Sequence, residues 1–542
     1  MTTHHRSPMF AALTRCALLA LVAVLVAAFS APALADDYRV VKKEFDAAYK
    51  AAGADSHARA TAVLILTRDD SKKTFGVVMS VAEHDTDSEV RVALARVLGG
   101  YRADETLDEW SKSIAREKDV NCRMVMAEGA VRSTHGRRAE FVRALLDDRK
   151  NPVVPMLIIQ SIGNLDAKEL IPVLVQWMQT LDSSEETLLV TAAELIQQKG
   201  ERDVVMPGLL HALRSTEGRA KERIREALSK IAGGDWGNDA SKWEYWWRAK
   251  QGEEKGAGSG ANMSGVQAEK APPRRPPYYG IPLNSSRIVF IIDNSGSMLQ
   301  PISPNLKTRL ENEDKETEEK EEAVITGMSA EDAKTRREEK KKEVPIDWGK
   351  INTKMDLAKA QLVRAISGLP QDVWFGVVFY NTAVTTVEPR MSQATDANKK
   401  RYITEVEKLQ AMGMTNIICA LTEAMALFKD GRSNVKLEAG NMKETIETLQ
   451  TDANLLRKGA DTIFFLTDGS PTWSHTVKGA GVGSHIFTNG TKAYLDEICG
   501  DFALQNQVRK VKVHTIGIGP HDRDLLGRLA QENGGIYKDL SQ

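Results

Sequence analysis

Helical periodicity runs through residues 36 to about 250, where apolar side chains return every three or four positions in segment after segment. The segments repeat, because equivalent apolar positions fall 32 or 33 residues apart. These positions are Leu98, Ala130, Ile162, Leu195 and Leu228. Second amphipathic helices are predicted after the first four, over residues 105–116, 138–146, 170–178 and 204–213. This fixed step of paired helices predicts an all-α solenoid over residues 36–250, in which stacked neighbours bury one another's apolar faces.

The pattern changes at Arg287 to short, nearly continuous apolar runs that alternate with predicted helices. Such runs are typical of strands that are buried on both faces of a parallel sheet. They cover residues 288–292, 373–380, 383–387, 462–466, 511–516 and 535–538, and the helices include 355–366, 417–428 and 523–532. Residues 286–542 are therefore predicted to form a doubly wound α/β domain, and the chain to be multidomain. Only Asn381 and Thr382 precede the run 383–387, so it is predicted to be an antiparallel edge strand.

Two segments show neither the apolar periodicity of a helix nor the continuous apolar runs of buried strands. Residues 251–285 are predicted to be a flexible linker, because residues 251–277 are rich in Gly, Ser, Lys, Glu and Pro. Residues 304–345 carry mixed charges and few apolar side chains, and they interrupt the α/β domain after its first strand. This charged insertion is predicted to be either disordered or a solvated helix.

The charge balance bears on the kind of partner, and the first 35 residues bear on the cellular location of the protein. The 542 residues contain 73 Lys plus Arg and 74 Asp plus Glu, a balance that does not favour nucleic acid or an anionic membrane as a partner. Residues 1–35 have a basic start, an apolar run over residues 17–28 and the small-residue sequence Ala33-Leu34-Ala35. They predict a signal peptide cleaved after Ala35, with an uncleaved anchor as the alternative. We therefore expect a secreted or periplasmic protein with no membrane span in the mature chain.

The cysteines and tryptophans are predicted to be packed in the interior of the protein rather than to form metal, redox or ligand-binding sites. Cys122, Cys419 and Cys499 remain after signal removal, and they contain no C-x-x-C pair, so we expect buried thiols. A Cys419–Cys499 disulfide is the alternative in an extracytoplasmic protein. The tryptophans 236, 243, 246 and 247 end the helical region, and we expect them to cap its last apolar layer rather than to form a ligand-binding surface.

Candidate chemistry lies after the predicted strands, because ligands of open α/β sheets bind at the carboxyl ends of the strands. The first strand is followed by the D-x-S-x-S sequence of Asp293, Ser295 and Ser297. Thr415 precedes the helix at 417, and Asp468 follows the strand at 462. Two carboxylates and three hydroxyls are hard oxygen ligands, which predict Mg²⁺, with Mn²⁺ or Ca²⁺ as alternatives.

These five residues resemble the metal-ion-dependent adhesion site of the von Willebrand factor type A family, which combines D-x-S-x-S with a Thr and an Asp from two later loops. The stretches 461–472 and 514–519 are also typical of that family, and the resemblance covers nearly all of residues 286–542. It implies one divalent ion held by Asp293, Ser295, Ser297, Thr415 and Asp468, with a degenerate, metal-free domain as the alternative. The helical region resembles HEAT-type repeats at residues 87–91 and 98–99, with an irregular helical bundle as its alternative.

Enzymatic signatures are absent from the sequence, which has no G-x-S-x-G, H-E-x-x-H or G-x-x-x-x-G-K-[ST]. Asp293 suggests a phosphoaspartyl enzyme, but its loop lacks the lysine or second acid that such chemistry generally needs. We therefore expect a non-enzymatic binding protein, whose metal ion takes a carboxylate from an unidentified protein partner. The alternatives are a structural scaffold with a purely stabilising metal, and an accessory subunit that docks a catalytic partner of hydrolase or chelatase type.

Overall fold

The computed structural model describes residues 37–114, 116–148, 152–182, 185–216, 218–254, 276–328, 330–435, 437, 442–469 and 492–541. These residues form two compact units. The first comprises residues 37–114 and 124–138, and the second residues 116–123 and those from Ala139 onward. The predicted signal peptide and most of the predicted linker lie outside the described residues. Every helix in the described ranges is too short or too polar to cross a bilayer.

The described part of the chain up to residue 254 is helical. Its α-helices are α1 (Tyr38–Ala52), α2 (Ser56–Val63), α3 (Lys72–His84), α4 (Ser88–Gly99), α5 (Asp104–Ile114), α6 (Val120–Arg132), α7 (Arg138–Leu146), α8 (Val153–Asn164), α9 (Ile171–Met178), α10 (Glu186–Lys199), α11 (Arg202–Ser215), α12 (Gly218–Ala232) and α13 (Ala240–Glu254). Capping residues set several starts: Asp87, for example, accepts hydrogen bonds from the amides of Glu89 and Val90 at the start of α4.

Several of these helices pack against the second helix that follows them in the sequence. In the first unit α2 packs on α4 and α3 on α5, and in the second α8 packs on α10, α9 on α11, α10 on α12 and α11 on α13. Of the equivalent positions predicted from the repeat, Leu98, Ala130, Ile162 and Leu228 are buried. Leu195 is only partly buried and its neighbour Ile196 is fully buried, so the inner face of α10 lies one residue later than predicted.

The tryptophans at the end of the helical region form one cluster. The ring of Trp236 lies 5.1 Å from that of Trp243 and 5.0 Å from that of Trp246. Trp243, Trp246 and Trp247 are buried, and α13, which carries them, packs on α11. The cluster is therefore part of the core at the end of the helical region, as the capping interpretation predicts, and not an exposed binding surface.

The second unit also contains the α/β domain. Its strands are β1 (Pro277–Tyr278), β2 (Ile281–Pro282), β3 (Arg287–Asp293), β4 (Trp374–Tyr380), β5 (Val384–Thr386), β6 (Ser392–Gln393), β7 (Leu427–Phe428), β8 (Gly431–Arg432), β9 (Thr462–Thr467), β10 (Lys512–Ile518) and β11 (Tyr537–Leu540). Its helices are α14 (Pro304–Thr326), α15 (Ala330–Lys340), α16 (Lys354–Gly368), α17 (Asp396–Lys408), α18 (Ile417–Ala426), α19 (Met442–Thr451), α20 (Ala453–Lys458), α21 (Lys492–Gln505) and α22 (Arg523–Glu532).

The main sheet has the order β11-β10-β9-β3-β4-β5. The pairs β11–β10, β10–β9, β9–β3 and β3–β4 are parallel, whereas β5 and β6 pair antiparallel with β4. The predicted antiparallel edge strand at residues 383–387 is thus confirmed. The helix predicted over residues 417–428 ends at Ala426 instead, because Leu427 and Phe428 leave it to pair with β8.

Helices cover both faces of this sheet. Phe290 and its even-numbered neighbours in β3 pack into one apolar cluster with α16 and α17, and Ile291 packs into a second cluster with α18, α21 and α22. Every residue of β3 is buried, as a central parallel strand requires. Cys419 and Cys499 lie buried in the second cluster, Cys122 is also buried, and none of these three thiols forms a disulfide within the described residues. The doubly wound α/β fold and the buried thiols are confirmed.

The charged insertion is a pair of helices, α14 and α15, so the helical alternative of the prediction is confirmed for its described residues. Leu306 and Leu310 pack into the cluster beneath α16, which explains why α14 is anchored despite its polar composition. At its base, Pro301 forms a β-bridge with Thr353. The insertion therefore leaves and re-enters the domain at a single point, directly after the loop that follows β3.

Arg287 connects the helical region to the start of the central strand. Its side chain is buried and lies 3.2 Å from a carboxylate oxygen of Glu186 and 3.1 Å from the hydroxyl of Thr187, both in α10. It also lies 3.7 Å from the carboxylate of Asp461. This cluster of charges sits at the amino end of β3, opposite the edge of the sheet at which the candidate ligands lie.

Candidate metal centre

The predicted site residues meet at the carboxyl edge of the central strands. Strand β3 ends at Asp293, and β9 beside it ends at Thr467, directly before Asp468. Asp293, Ser295 and Asp468 are buried, and Ser297 lies in the short 3₁₀ helix Gly296–Leu299 that follows. Because β3 and β9 are parallel neighbours, their ends bring residues that are far apart in sequence to one place.

The Asp293 carboxylate is held by three donors. Its Oδ1 accepts a hydrogen bond from the Ser295 amide at 2.8 Å. Its Oδ2 accepts from the Thr467 hydroxyl at 2.6 Å and from the Tyr380 hydroxyl at 3.2 Å. Burial, and next the nearby charge of Asp468, raise the pKa of Asp293 to about 6. The anion is therefore costly in the domain, and a bound cation would offset that cost.

A short chain of oxygens leads from the first loop to the third. The hydroxyls of Ser295 and Ser297 lie 3.0 Å apart, and the Ser297 hydroxyl donates to Asp468 Oδ1 at 2.7 Å. Oxygens on neighbouring vertices of a Mg²⁺ octahedron lie about 3 Å apart, since each is about 2.1 Å from the ion. These separations fit two adjacent edges of such an octahedron.

Thr415 joins the same group from the second loop. The Gly413 carbonyl accepts a hydrogen bond from the Gly296 amide at 3.1 Å, which fixes this loop against the first. A Cβ placed on Gly469 would lie 3.8 Å from Thr415 Oγ1 and 3.9 Å from Ser297 Oγ. Both hydroxyls therefore flank Gly469, whose missing side chain leaves the space between them open.

The donor set is thus two carboxylates and three hydroxyls, all oxygen, which suits a hard divalent cation. Within the described ranges, no group of three or more His, Cys, Asp or Glu side chains could hold a metal ion. The set of Asp293, Ser295, Ser297, Thr415 and Asp468 suits Mg²⁺ by its chemistry, and the oxygens of Ser295, Ser297 and Asp468 also have a suitable spacing.

Lys354, at the start of α16, is a site residue that the sequence argument missed. Its ammonium donates to Asp468 Oδ2 at 2.7 Å and to Gln300 Oε1 at 2.8 Å, and the side chain is buried. The loop after Asp293 does lack a lysine and a second acid, but the fold brings Lys354 and Asp468 to the same edge, so the composition of that loop does not by itself argue against a phosphoaspartyl enzyme. The Asp293 carboxylate is nevertheless fully buried, and the lysine is engaged by Asp468, an arrangement that does not favour attack by Asp293 on a substrate.

Tyr380 and Thr467 were missed as well, although a signal existed for both. Each is the last residue of a strand that neighbours β3, and the carboxyl ends of parallel neighbours meet at one edge. Lys354 had no comparable signal, because the charged insertion separates it from the first loop. His514, by contrast, is a core residue: it is buried and stacks on Phe464 at 4.8 Å.

Comparison with known proteins agrees with the fold of this domain. Residues 346–539 match the family described as the von Willebrand factor type A domain. The matched range contains Thr415 and Asp468, but it begins after Asp293, Ser295 and Ser297, which precede the charged insertion. A curated relative, inter-alpha-trypsin inhibitor heavy chain H3 from Mesocricetus auratus, is 25% identical over 111 residues, which are 20% of this chain and 12% of that protein.

Three solved structures are similar to this chain. A von Willebrand factor type A protein from Catenulispora acidiphila is 17% identical over 48% of this chain and 39% of its own, with a TM-score of 0.26. The PilB minor pilin from Streptococcus sanguinis is 17% identical, with coverages of 48% and 57% and a TM-score of 0.26. The pilus adhesin SpaC from Lactobacillus rhamnosus GG is 16% identical, with coverages of 48% and 29% and a TM-score of 0.26.

This chain spans only about an eighth of the curated relative and less than two thirds of each of these structures. The family match identifies residues 346–539 as a von Willebrand factor type A domain, which lies in the α/β part of a chain whose N-terminal region is all-helical.

Proposed function

We propose that the von Willebrand factor type A domain binds one divalent ion, Mg²⁺ in the first place, and through it a carboxylate of a protein partner. The observation that supports this most directly is the chain of oxygens from Ser295 through Ser297 to Asp468, with separations of 3.0 and 2.7 Å. Asp293 and Thr415 complete the donors. With the export signal predicted at residues 1–35, we expect the partner outside the cytoplasm.

In this proposal each protein group has one task. Asp293, held by Thr467 and Tyr380, provides a fixed negative charge beneath the ion. Ser295 and Ser297 contribute neutral oxygens, so the ion keeps enough charge to attract an external anion. The ion supplies the attraction for a partner carboxylate, since Mg²⁺ prefers oxygen ligands and rarely obtains all six from one protein.

Calorimetric titration with Mg²⁺, Mn²⁺ and Ca²⁺ tests the metal site. We expect the wild-type protein to bind one ion and Asp293→Ala to bind none, while circular dichroism shows that the variant stays folded, because β3 is anchored by apolar burial. Asp372→Ala, which removes an exposed aspartate before the amino end of β4, at the opposite edge of the sheet, is the matched control. Equal affinity in the wild type and Asp293→Ala would disprove this site.

Partner capture from an extracytoplasmic fraction, with and without chelator, then separates the alternatives. A scaffold with a purely stabilising ion would gain thermal stability from Mg²⁺ but would lose no partner to the chelator. Identification of a hydrolase or chelatase among the chelator-sensitive partners would favour the accessory-subunit alternative. The non-enzymatic role remains part of the proposal, and it is supported by the burial of Asp293.

A further inference from the structure

Lys354 is built into the candidate metal site. Its side chain is 5% exposed, and its ammonium donates to Asp468 Oδ2 at 2.7 Å and Gln300 Oε1 at 2.8 Å. The Lys354 amide also donates to the Gln300 carbonyl at 3.1 Å. Gln300 directly follows the 3₁₀ helix that contains Ser297, so the lysine is tied by its main chain and its side chain to the loop that supplies the metal ligands.

Space for this lysine is provided from the opposite side by a glycine. Gly519 follows β10 and has a φ of +64°, and a Cβ at this position would lie 2.8 Å from Lys354 Cε and 3.1 Å from its Nζ. A side chain larger than hydrogen would therefore displace the ammonium. The capping box of Thr353 and Asp356 fixes the first turn of α16, which carries the lysine. The position of the positive charge is consequently determined by three separate elements.

This charge changes the electrostatic balance of the site. Asp293 and Asp468 contribute two negative charges, which would balance a divalent ion, as the sequence alone implied. With Lys354 included, the site with its ion carries one net positive charge. A carboxylate from a partner would bring that sum to zero. Without the lysine, the same carboxylate would leave a net negative charge in a largely buried place, which is unfavourable.

We propose that Lys354 is a resident cation of the site, which weakens binding of the divalent ion in the free protein and makes ion and partner carboxylate bind cooperatively. The inference rests on the proposed function. The ammonium occupies Asp468 Oδ2, so the ion competes with it for that carboxylate and is repelled by its charge. A partner carboxylate removes the repulsion by supplying the missing negative charge. The free protein thus holds its ion loosely and binds it firmly only together with an acidic partner.

Calorimetric titration of the full chain with Mg²⁺ tests the first half. Lys354→Met and Lys354→Gln remove the charge, and Lys354→Arg keeps it. Lys359→Met, in the same helix but half-exposed, is the matched control. Removing a like charge this close to the ion should tighten Mg²⁺ binding about tenfold or more in the Met and Gln variants. The Arg variant and the Lys359 control should match the wild type within about twofold.

Repeating the titration in acetate, as the simplest carboxylate, tests the cooperativity. We expect acetate to tighten Mg²⁺ binding in the wild type and to do so several-fold less in Lys354→Met. Equal Mg²⁺ affinities in the wild type, Met and Gln variants would overturn the inference and leave the metal site intact. A wild type that binds no Mg²⁺ would overturn both. Loss of fold in both neutral variants, measured by circular dichroism, would also overturn it, because Lys354 would then be a structural requirement.

Discussion

Tyr380 faces Asp293 across the parallel register of β3 and β4, and its hydroxyl donates to Asp293 Oδ2 at 3.2 Å. Thr467, from the strand on the other side of β3, donates to the same oxygen at 2.6 Å. The carboxylate that heads the first loop is therefore fixed from both neighbouring strands.

Thr467→Val should weaken the site more than Tyr380→Phe does. Valine keeps the shape of threonine but removes the shorter of the two hydroxyl contacts to Asp293 Oδ2. We expect a loss of unfolding free energy of about 1–3 kcal/mol. Mg²⁺ affinity should fall about 10–100-fold, since hydroxyls that hydrogen-bond to a metal-binding carboxylate fix its orientation. Chemical denaturation and calorimetry measure both quantities, and an unchanged Mg²⁺ affinity in Thr467→Val would contradict the role assigned to this hydroxyl.

Gly469→Ala should weaken Mg²⁺ binding while it leaves the stability of the fold nearly unchanged. The added methyl would lie 3.8 Å from Thr415 Oγ1 and 3.9 Å from Ser297 Oγ, which are ordinary contact distances. We expect a change in unfolding free energy below about 1 kcal/mol. Mg²⁺ binding should nevertheless weaken several-fold, because the methyl fills the space between two candidate ligands. A variant that binds Mg²⁺ as the wild type does would show that the ion does not use this space.

Arg287→Met should destabilise the second compact unit strongly. The substitution leaves Glu186 and Asp461 without the buried guanidinium that lies 3.2 and 3.7 Å from them. We expect a cost of about 2–4 kcal/mol, reduced from that of a fully buried pair because both acids are partly exposed. Arg523→Met is the control: it breaks an exposed pair with Asp539 and should cost less than about 1 kcal/mol. Similar losses in the two variants, measured by denaturant titration, would disprove the importance of the Arg287 cluster.

His514 should make the protein sensitive to acid. Burial lowers the pKa of His514 from 6.5 to about 4, and its Nδ1 accepts a hydrogen bond from the Ile536 amide at 3.0 Å. Because the folded-state pKa is the lower one, protonation favours the unfolded chain. The stabilisation is complete above pH 6.5 and is lost as the pH falls towards 4, by about 3 kcal/mol in total.

His514→Asn keeps an acceptor for the Ile536 amide but does not titrate. The difference in unfolding free energy between wild type and variant should therefore shift against the wild type between pH 7 and pH 4.5. Other acidic groups titrate equally in both proteins and cancel in this difference. A difference that does not change with pH would contradict the lowered pKa.

The apolar pattern of the α/β domain predicted nearly all of its main sheet. Strands buried on both faces give continuous apolar runs, and the short connection after Asn381 and Thr382 allows only a hairpin. The five candidate ligands were predicted from the ends of the strands, and their role as metal ligands stays a prediction. Helix ends were less certain: α18 stops at Ala426, where chain pairing with β8 replaces helical hydrogen bonds. Propensity alone contains no information about such pairing.

Residues that act through distant contacts could not be predicted in this way. Lys354 reaches Asp468 only because the base of the insertion brings α16 next to the first loop. Arg287 appeared as the start of an apolar run, and its pairing with Glu186 depends on how the helical region packs in the second unit. In α10 the repeat predicted Leu195 as the residue that faces the core, whereas Ile196 is the fully buried residue. A shift of one residue corresponds to a rotation of the helix by about 100° about its axis. The packing of the neighbouring helices determines which residue faces the core.

The β-bridge between Pro301 and Thr353 means that the length of the insertion can change beyond the part of α14 whose Leu306 and Leu310 pack into the core of the domain. The Ile302 amide donates to the Asn352 carbonyl at 3.0 Å, so both ends of the insertion are already joined where it begins. Closing a loop twice as long costs only about 0.6 kcal/mol more. A reporter or affinity module can therefore be grafted beyond the core-packed start of α14 without moving the residues around Asp468.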